Sequence, residues 1–449
     1  MNASLSSAPP FAPSVPAEAA AATPRGLGLL LAAAAFYTAL ACFLHTWALR
    51  MGQGQVAALE GLVLLACLPW ALRTLRPGLI ALMLALPISF LATGLAWGGF
   101  DVKAFRDLLL PLVFVALGSN VGSFEAADRI LGRLAAAVIA VALFEWLFVD
   151  AYTRLFDVFS YYVGIGGIVE NAAMYSGQKL QLNGFRPEGI GRTILPWLFG
   201  NHRMSSLFLE PVSLGNFAVI TFAWGLARDR LRDGWRFMLA ALVMIALADS
   251  RYGMLAVGLL LVLRLAVPPA WSALGALFPL ACVAAVIGAA LAYAGPAADN
   301  VLARLATSGR ALLSFDVPTL LGLDGPTPLY GDMGYAYVLS RFGLVLAAAL
   351  WAALWLVPLA GDRARRFRLY LALYAALILC VSGTSLFALK TAGVLWFLFG
   401  CVMRFDGRPV GQPHPHPSPP LEGEGTRSFG DLGRALKNKV IDEMGRGRE

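Results

Sequence analysis

The chain has 449 residues, of which 59% are apolar and only 14% are charged, whereas a soluble domain carries about a quarter charged residues. Together with a mean hydropathy of +0.70, this composition excludes an ordinary soluble domain and predicts an all-α, polytopic membrane protein. The net charge of +8 comes largely from arginines dispersed among short loops. That distribution indicates membrane topology and excludes a nucleic-acid partner.

The two ends of the chain differ in composition from its middle. Residues 1–26 are rich in Ala, Pro and Ser and lack the basic region of a secretory signal, so we expect a disordered cytoplasmic N-terminus. Residues 404–449 are expected to form a low-complexity cytoplasmic tail, in which His414 and His416 are not predicted to bind metal. The five cysteines fall inside apolar runs without metal-ligand spacing, so no metal and no other cofactor is predicted.

Between these ends, residues 27–403 are predicted to form one transmembrane domain. Twelve apolar runs have about the length that a bilayer crossing requires, or slightly less. The predicted spans are 27–47, 55–72, 78–97, 105–121, 130–149, 207–227, 235–249, 252–267, 271–294, 335–357, 368–384 and 386–403.

Three short arginine-rich loops follow the second, sixth and tenth of these spans. The positive-inside rule places all three in the cytoplasm, which requires an even number of crossings between the last two. The stretch 235–267 is therefore expected to cross twice, with a break at Asp249-Ser250-Arg251. The same count places both termini inside and the two long loops, 150–206 and 295–334, outside.

The loop 150–206 is a long polar interruption that leads into the run Arg203-Met-Ser-Ser-Leu-Phe-Leu-Glu210-Pro211. Connections in helix bundles usually have only a few residues, so a loop of this length is expected to be either functional or disordered. Its aromatic residues, among them Trp197 and Phe199, favour function over disorder.

The outer loops and the adjoining span ends contain many arginines, among them Arg203, Arg251 and Arg310. A guanidinium binds phosphate through two parallel hydrogen bonds, so an outward-facing arginine cluster suits a lipid-linked phosphate or pyrophosphate. Salt bridges to neighbouring acids, or contact with lipid headgroups, are the alternative. Glu210 either stabilises the helix that begins at Pro211 or acts as a hydroxyl acceptor or general base.

The motifs at Arg203–Gly215, Asp249–Gly253 and Gly322–Gly343, which includes Gly331-Asp332-Met-Gly-Tyr335, resemble those of Wzy-type bacterial polysaccharide polymerases. These enzymes belong to the O-antigen ligase and polymerase superfamily. The resemblance implies a metal-independent glycosyltransferase with a fold like that of the C class, in the bacterial inner membrane, with its active site facing the periplasm. The ligase branch has a histidine where this chain has Asp332, so polymerase is favoured over ligase.

By the same resemblance, the substrates are a polyprenyl-pyrophosphate-linked glycan donor and a lipid-linked acceptor. Arg203 and Arg251 would hold the donor pyrophosphate, with Arg310 as a third candidate, and Arg203 would also take part in catalysis. Glu210 or Asp332 would orient or deprotonate the acceptor hydroxyl. The implied partners are membrane lipid and, in the same pathway, a chain-length regulator and a flippase.

Two other functions compete with this interpretation. A flippase for lipid-linked oligosaccharides would carry charged residues deep within several spans and would consist of two related halves. A non-catalytic assembly or anchoring protein would need no clustered arginines and acids. The sequence has neither visible internal repeats nor matching broken spans, which disfavours the flippase, and its outer loops do carry clustered arginines and acids, which disfavours the scaffold.

Overall fold

In a computed structural model of the chain, the described residues are 26–74, 77–166, 179–186, 191–295, 300–326, 330–331 and 333–403. The predicted N-terminal segment and C-terminal tail lie outside them, except for Gly26. The described residues form helices and connecting segments, with one isolated antiparallel bridge between Phe185 and His202. The all-α prediction is confirmed for this part of the chain.

Five long helices come first, followed by three short ones within the predicted loop 150–206. The long helices are α1 (Leu27–Trp47), α2 (Gln53–Ala71), α3 (Pro77–Trp97), α4 (Val102–Val121) and α5 (Phe124–Leu147). The short helices are α6 (Val149–Leu155), α7 (Val158–Gly164) and α8 (Pro196–Phe199).

The second half of the chain begins again with long helices. They are α9 (Pro211–Leu226), α10 (Leu231–Ala248), α11 (Arg251–Ala266) and α12 (Phe278–Ala292), the last continuing a 3-10 helix at Pro269–Leu277. The remaining helices are α13 (Val301–Leu313), α14 (Val317–Leu321), α15 (Gly334–Leu356), α16 (Asp362–Ile378) and α17 (Leu389–Met403).

Seven of the described helices are long and apolar enough to cross a membrane: α1 to α5, α12 with its preceding 3-10 helix, and α15. The helices α9 and α17 are also apolar but shorter. The protein is therefore a polytopic, membrane-embedded helical protein. Each of the twelve predicted spans coincides with a helix, while the number of crossings and their orientation stay predictions.

The predicted helix break at Asp249 is confirmed. Helix α10 ends at Ala248 and α11 begins at Arg251. Asp249 between them has a left-handed backbone conformation with φ of 47°, and the Ser250 hydroxyl accepts a hydrogen bond of 3.0 Å from the Gly253 amide. A left-handed residue followed by an N-cap serine ends one helix and starts the next.

Small residues allow α4 and α17 to approach each other closely. Gly118 faces Gly400, and a Cβ atom on either would collide with the backbone of the other helix. Lipid gives little hydrophobic drive for helices to associate, so close backbone packing of this kind contributes to holding the bundle together.

The predicted outer loop 295–334 is not an open loop in its described part. Helix α13 packs along α12 through buried Ala303, Ala306 and Gly309, and the Ser308 hydroxyl donates to the Cys380 carbonyl at 2.8 Å. Small residues at helical spacing give α13 an apolar face that the bundle covers.

Helix α15 contains a kink at Gly343, where φ is 72° and ψ is 156°. Only glycine adopts this conformation readily. The kink brings Gly343 against the Leu321 carbonyl at the end of α14. The glycine of the Arg341-Phe-Gly343 motif therefore lets α14 dock on α15.

One end of the bundle, called the loop end below, adjoins the segment 150–206. Helices α1, α3, α5, α10, α12 and α16 end there, and α2, α4, α9, α11, α15 and α17 begin there. Contacts across this end include the Tyr335 amide donating to the Leu379 carbonyl at 2.9 Å and the Tyr337 hydroxyl donating to Asp107 at 2.6 Å. The predicted site residues that the structure describes lie at or beside this end.

Candidate functional site

The carboxyl end of α10 receives arginines from the segment that precedes α9. The last carbonyls of a helix have no partners within the helix and carry partial negative charge. Cationic donors are therefore stabilised there, and the sequence provides three of them close together, Arg186, Arg192 and Arg203.

Arg203 is 7% exposed and binds main-chain oxygens. Its Nε donates to the Ala248 carbonyl at 3.1 Å, and its Nη1 donates to the Asn183 carbonyl at 3.1 Å. The next residue continues the contact, because the Met204 amide donates to the Leu247 carbonyl at 3.1 Å. Arg203 thus ties the end of the loop to α10.

Arg192 is 5% exposed and makes a second set of such contacts. Its Nη2 donates to the carbonyls of Ala246 and Leu247, the latter at 3.0 Å, and its Nη1 donates to the carbonyl of His202. The guanidinium also lies 4.4 Å from the centre of the Phe199 ring. Burial lowers the pKa of Arg192 to about 10, so the side chain remains charged at neutral pH.

The Asp249 carboxylate is fully buried and holds the third arginine. Arg186 Nε lies 2.8 Å from Asp249 Oδ2, and the amides of Thr193 and Ile194 donate to Oδ1 at 2.9 and 3.0 Å. Burial by itself would raise the pKa of Asp249, but Arg186 and these amides outweigh it and hold the pKa below its usual range. The carboxylate is a fixed negative charge that anchors the loop.

Arg251 differs from these three arginines. It is half-buried at the first position of α11, where its Nε donates to Thr193 Oγ1 at 3.0 Å and its Nη2 reaches the Gly191 carbonyl at 3.4 Å. No described residue provides a hydrogen-bond acceptor for its Nη1. Of the predicted pyrophosphate ligands beside α10, Arg251 has the guanidinium best placed to bind a ligand.

Glu210 lies at the start of α9 and is held by three donors. The Tyr162 and Ser213 hydroxyls each donate at 2.8 Å, and Lys390 Nζ lies 2.7 Å from Glu210 Oε2. One turn into α9, Gly215 packs directly against Ser250. The structure therefore brings Glu210 near the α10–α11 junction, where Arg203 and Arg251 lie.

The other predicted site residues are not brought into this group. Arg310 is exposed on α13, where its Nη2 donates to the Tyr293 carbonyl at 2.6 Å, and it has no hydrogen bond or salt bridge to Arg203, Arg251 or Glu210. Asp332 lies outside the described residues. Among those that are described, no group of three or more His, Cys, Asp or Glu could hold a metal ion.

The sequence analysis missed Lys390, although it is the only charged residue between Leu369 and Met403. A lone lysine in an apolar run is a signal for a buried partner. Glu145 was not predicted as a site residue either, but its buried carboxylate accepts from the Ser205 and Ser206 amides at 2.8 and 2.6 Å. Glu145 thus fixes the segment between Arg203 and Glu210.

A second charged network at the loop end was also missed. Arg106 Nη1 lies 2.6 Å from Glu60 and its Nη2 lies 2.7 Å from Asp107, while Arg341 lies 2.5 Å from Asp101. Arg106 and Asp107 were counted only as part of the span 105–121. Their occurrence as adjacent charges at the beginning of an apolar run could have identified this network.

The two networks are neighbours. Tyr161 of α7 is buried, which raises its pKa, and the negative charges of Glu210 and Glu60 raise it further. The Tyr161 hydroxyl is therefore close enough to both Glu210 and Glu60 to be affected by the charge of each. The loop end holds a continuous set of buried, paired charges instead of scattered surface ions.

Comparisons with family models, with curated proteins and with solved structures gave no match to this chain. The fold and the site together define a class: a polytopic helical membrane protein with a charged site at one end of its bundle.

Proposed function

We propose that this protein is a membrane glycosyltransferase that polymerises polyprenyl-pyrophosphate-linked oligosaccharide repeat units into exopolysaccharide, capsule or O-antigen. The observation that carries the proposal is the half-exposed guanidinium of Arg251, fixed by Thr193 and Gly191, whose Nη1 has no acceptor among the described residues. The Glu210 carboxylate begins the adjacent helix. A fixed anion binder beside a carboxylate supports group transfer from a phosphate leaving group. We place this reaction at the periplasmic face of the bacterial inner membrane.

In the proposed reaction, a hydroxyl oxygen of the acceptor sugar attacks the anomeric carbon of the donor glycan. The bond from that carbon to the pyrophosphate oxygen breaks, its electron pair passes to that oxygen, and polyprenyl pyrophosphate leaves. Arg251 stabilises the negative charge that develops on this leaving group. The hydroxyl proton passes to Glu210 or Asp332, or to water.

The contacts of Glu210 favour an orienting role. A carboxylate that already accepts from Lys390, Tyr162 and Ser213 has its negative charge stabilised, so it is a weaker base than a free carboxylate. It retains lone pairs that accept a hydrogen bond from a sugar hydroxyl. Asp332 is the alternative proton acceptor.

We infer that Arg203 acts mainly by positioning. Its Nε and Nη1 both donate to main-chain carbonyls, as do the donors of Arg192. These two arginines and Arg186 hold the loop on the end of α10, and the loop in turn provides the Thr193 and Gly191 oxygens that orient Arg251. Arg310 remains a more distant candidate for pyrophosphate binding.

The test uses Arg251→Ala in cells that make the native glycan, with membranes analysed for lipid-linked intermediates. We expect long-chain glycan to be lost and single lipid-linked repeat units to accumulate, with the protein still present in the membrane. The matched control is Arg154→Ala, because Arg154 is an exposed arginine on α6 of the same segment and should leave chain length unchanged. Normal chain length in Arg251→Ala would overturn the proposal.

A flippase is the second candidate, and the network of Glu60, Arg106 and Asp107 is the observation that favours it, because these charges belong to apolar helices. However, they lie within about two turns of the helix ends at the loop end. A path across the membrane would need such groups further along the spans. Accumulation of lipid-linked repeats on the cytoplasmic leaflet in Arg251→Ala would favour the flippase.

A further inference from the structure

An apolar groove runs along the bundle between α3, α4, α15, α16 and α17. Its volume is about 190 Å³. It extends from Leu108 and Phe342 near the loop end to Leu354 and Met403 near the opposite end. This volume is smaller than the roughly 300–1,000 Å³ of pockets that enclose whole small molecules, so the groove is suited to a stretch of one narrow hydrocarbon chain.

A lysine that forms no salt bridge with any described residue lies beside the groove. The neighbouring carboxylates are occupied, Asp101 by Arg341 and Asp107 by Arg106. Lys103 is exposed at the first turn of α4, and no carboxylate among the described residues lies within 4.0 Å of its ammonium group. Its ammonium group lies over the ring of Tyr337, 5.3 Å from the ring centre.

Tyr337 connects this cationic position to the groove. The Arg341 guanidinium also lies over its ring, 4.7 Å from the centre. The same ring is 6.3 Å from Phe342 and 6.4 Å from Phe387, two residues that line the groove. A ligand with an anionic head and a single apolar chain could therefore contact both parts at once.

We propose that this groove holds the polyprenyl chain of the acceptor lipid, with its pyrophosphate bound by Lys103. The identity of the lipid rests on the proposed function. Polymerisation of lipid-linked units requires two such lipids at one time, and Arg251 with Glu210 provides a place for only the donor. The groove, lined in part by the rings of Trp351 and Trp396, has a volume of about 190 Å³ and suits one isoprenoid chain instead of the two acyl chains of a phospholipid.

The experiment measures how many molecules of undecaprenyl pyrophosphate bind to the purified full-length protein in phosphatidylcholine nanodiscs, by native mass spectrometry. We expect two bound lipids in the unchanged protein. Ala347→Trp fills the groove, because Ala347 lines it, and should reduce the number to one. The control is Ala348→Trp, because Ala348 is exposed and does not line the groove, and should leave two.

A second variant tests the same lipid site independently, in case Ala347→Trp does not fold. Lys103→Gln changes an exposed side chain and should weaken binding of the second lipid about tenfold, the effect of losing one phosphate contact. Lys179→Gln is its control, because Lys179 is exposed and paired with Asp150. Two bound lipids in Ala347→Trp together with unchanged affinity in Lys103→Gln would overturn the inference, as would equal displacement by phosphatidylglycerol.

The number of bound lipids tests the groove independently of glycosyltransferase activity. Because binding is counted without any transfer reaction, loss of one lipid in Ala347→Trp supports the groove assignment even in a protein that makes no polymer. Retention of both lipids in Arg251→Ala would contradict the donor site but not the groove. Loss of one lipid in each variant, and of both in the double variant, supports the two-lipid arrangement.

Discussion

The ammonium group of Lys390 lies 2.7 Å from the Glu210 carboxylate, although 180 residues separate them in the chain. Lys390 also donates to the Phe208 carbonyl at 3.3 Å. This ion pair joins the first turn of α17 to the start of α9 and to the end of the segment 150–206. It fixes the position of the carboxylate that the proposed reaction uses.

Lys390→Met is expected to lower stability by roughly 3 kcal/mol, because it leaves a largely buried carboxylate without its cation. Thermal unfolding of the purified protein in detergent measures the effect. The double variant Lys390→Met with Glu210→Gln should recover much of the loss, since it removes the unpaired charge. An unchanged unfolding temperature in Lys390→Met would show that the pair does not hold α9 and α17 together.

Arg203→Ala and Arg251→Ala are expected to differ in their effects on stability. Arg203→Ala removes the donor to the Ala248 carbonyl at the end of α10 and to the Asn183 carbonyl of the loop, which should cost about 1–3 kcal/mol as well as activity. Arg251→Ala removes a half-exposed side chain and should abolish polymer formation with little change in the unfolding temperature. Equal destabilisation in both variants would assign Arg251 to the scaffold instead of the site.

The Asp249–Arg186 pair predicts a specific loss of stability in acid. Because the folded-state pKa of Asp249 is held below its usual value of about 3.9, the ionised carboxylate stabilises the fold above that value. This contribution is lost as the pH falls below about 4. The difference in unfolding temperature between the unchanged protein and Asp249→Asn should therefore shrink from about pH 5 to about pH 2.

The control for this titration is Asp233→Asn. The Asp233 side chain is 53% exposed and its nearest cation, on Arg232, is 3.8 Å away, so its ion pair should contribute little. A constant difference between Asp249→Asn and the unchanged protein at every pH would contradict the proposed role of the carboxylate charge.

Gly343→Ala is expected to destabilise the contact between α14 and α15. The conformation at this position costs a non-glycine residue about 1–3 kcal/mol, and the added Cβ would also meet the Leu321 carbonyl. The matched control is Gly258→Ala in α11, which has open space around it and should be neutral or slightly stabilising. Thermal unfolding of the two variants side by side measures the difference.

The long helices could be predicted because about twenty apolar residues in a row have few alternatives to a helix in lipid. The break at Asp249 was also predictable, since arginine-rich loops had to lie on one side. Helix α13 was not predicted, because it combines small and polar residues whose helical spacing has meaning only beside α12. Hydropathy alone does not show which neighbour covers a helix face.

At the site, residue types were more predictable than residue roles. The arginines before α9 were identified as anion binders, but Arg203 and Arg192 donate to the carbonyl end of α10, and a single sequence does not reveal that acceptor. Lys390 and Arg106 were overlooked because each belongs to an apolar stretch, and because Glu210, which pairs with Lys390, and Glu60, which pairs with Arg106, are remote in the chain. Composition and residue spacing do not show which distant segments of the chain contact each other.

The attachment of the segment 179–206 to α10 also sets an order of assembly. Its arginines precede Ala246 to Asp249 in the chain, so during synthesis they emerge well before the carbonyls that receive them. Until α10 has formed and returned to the loop end, Arg192 and Arg203 lack the carbonyls of Ala246 to Ala248 that they bind in the folded protein. The site therefore forms late, only after the hairpin that follows it is in place.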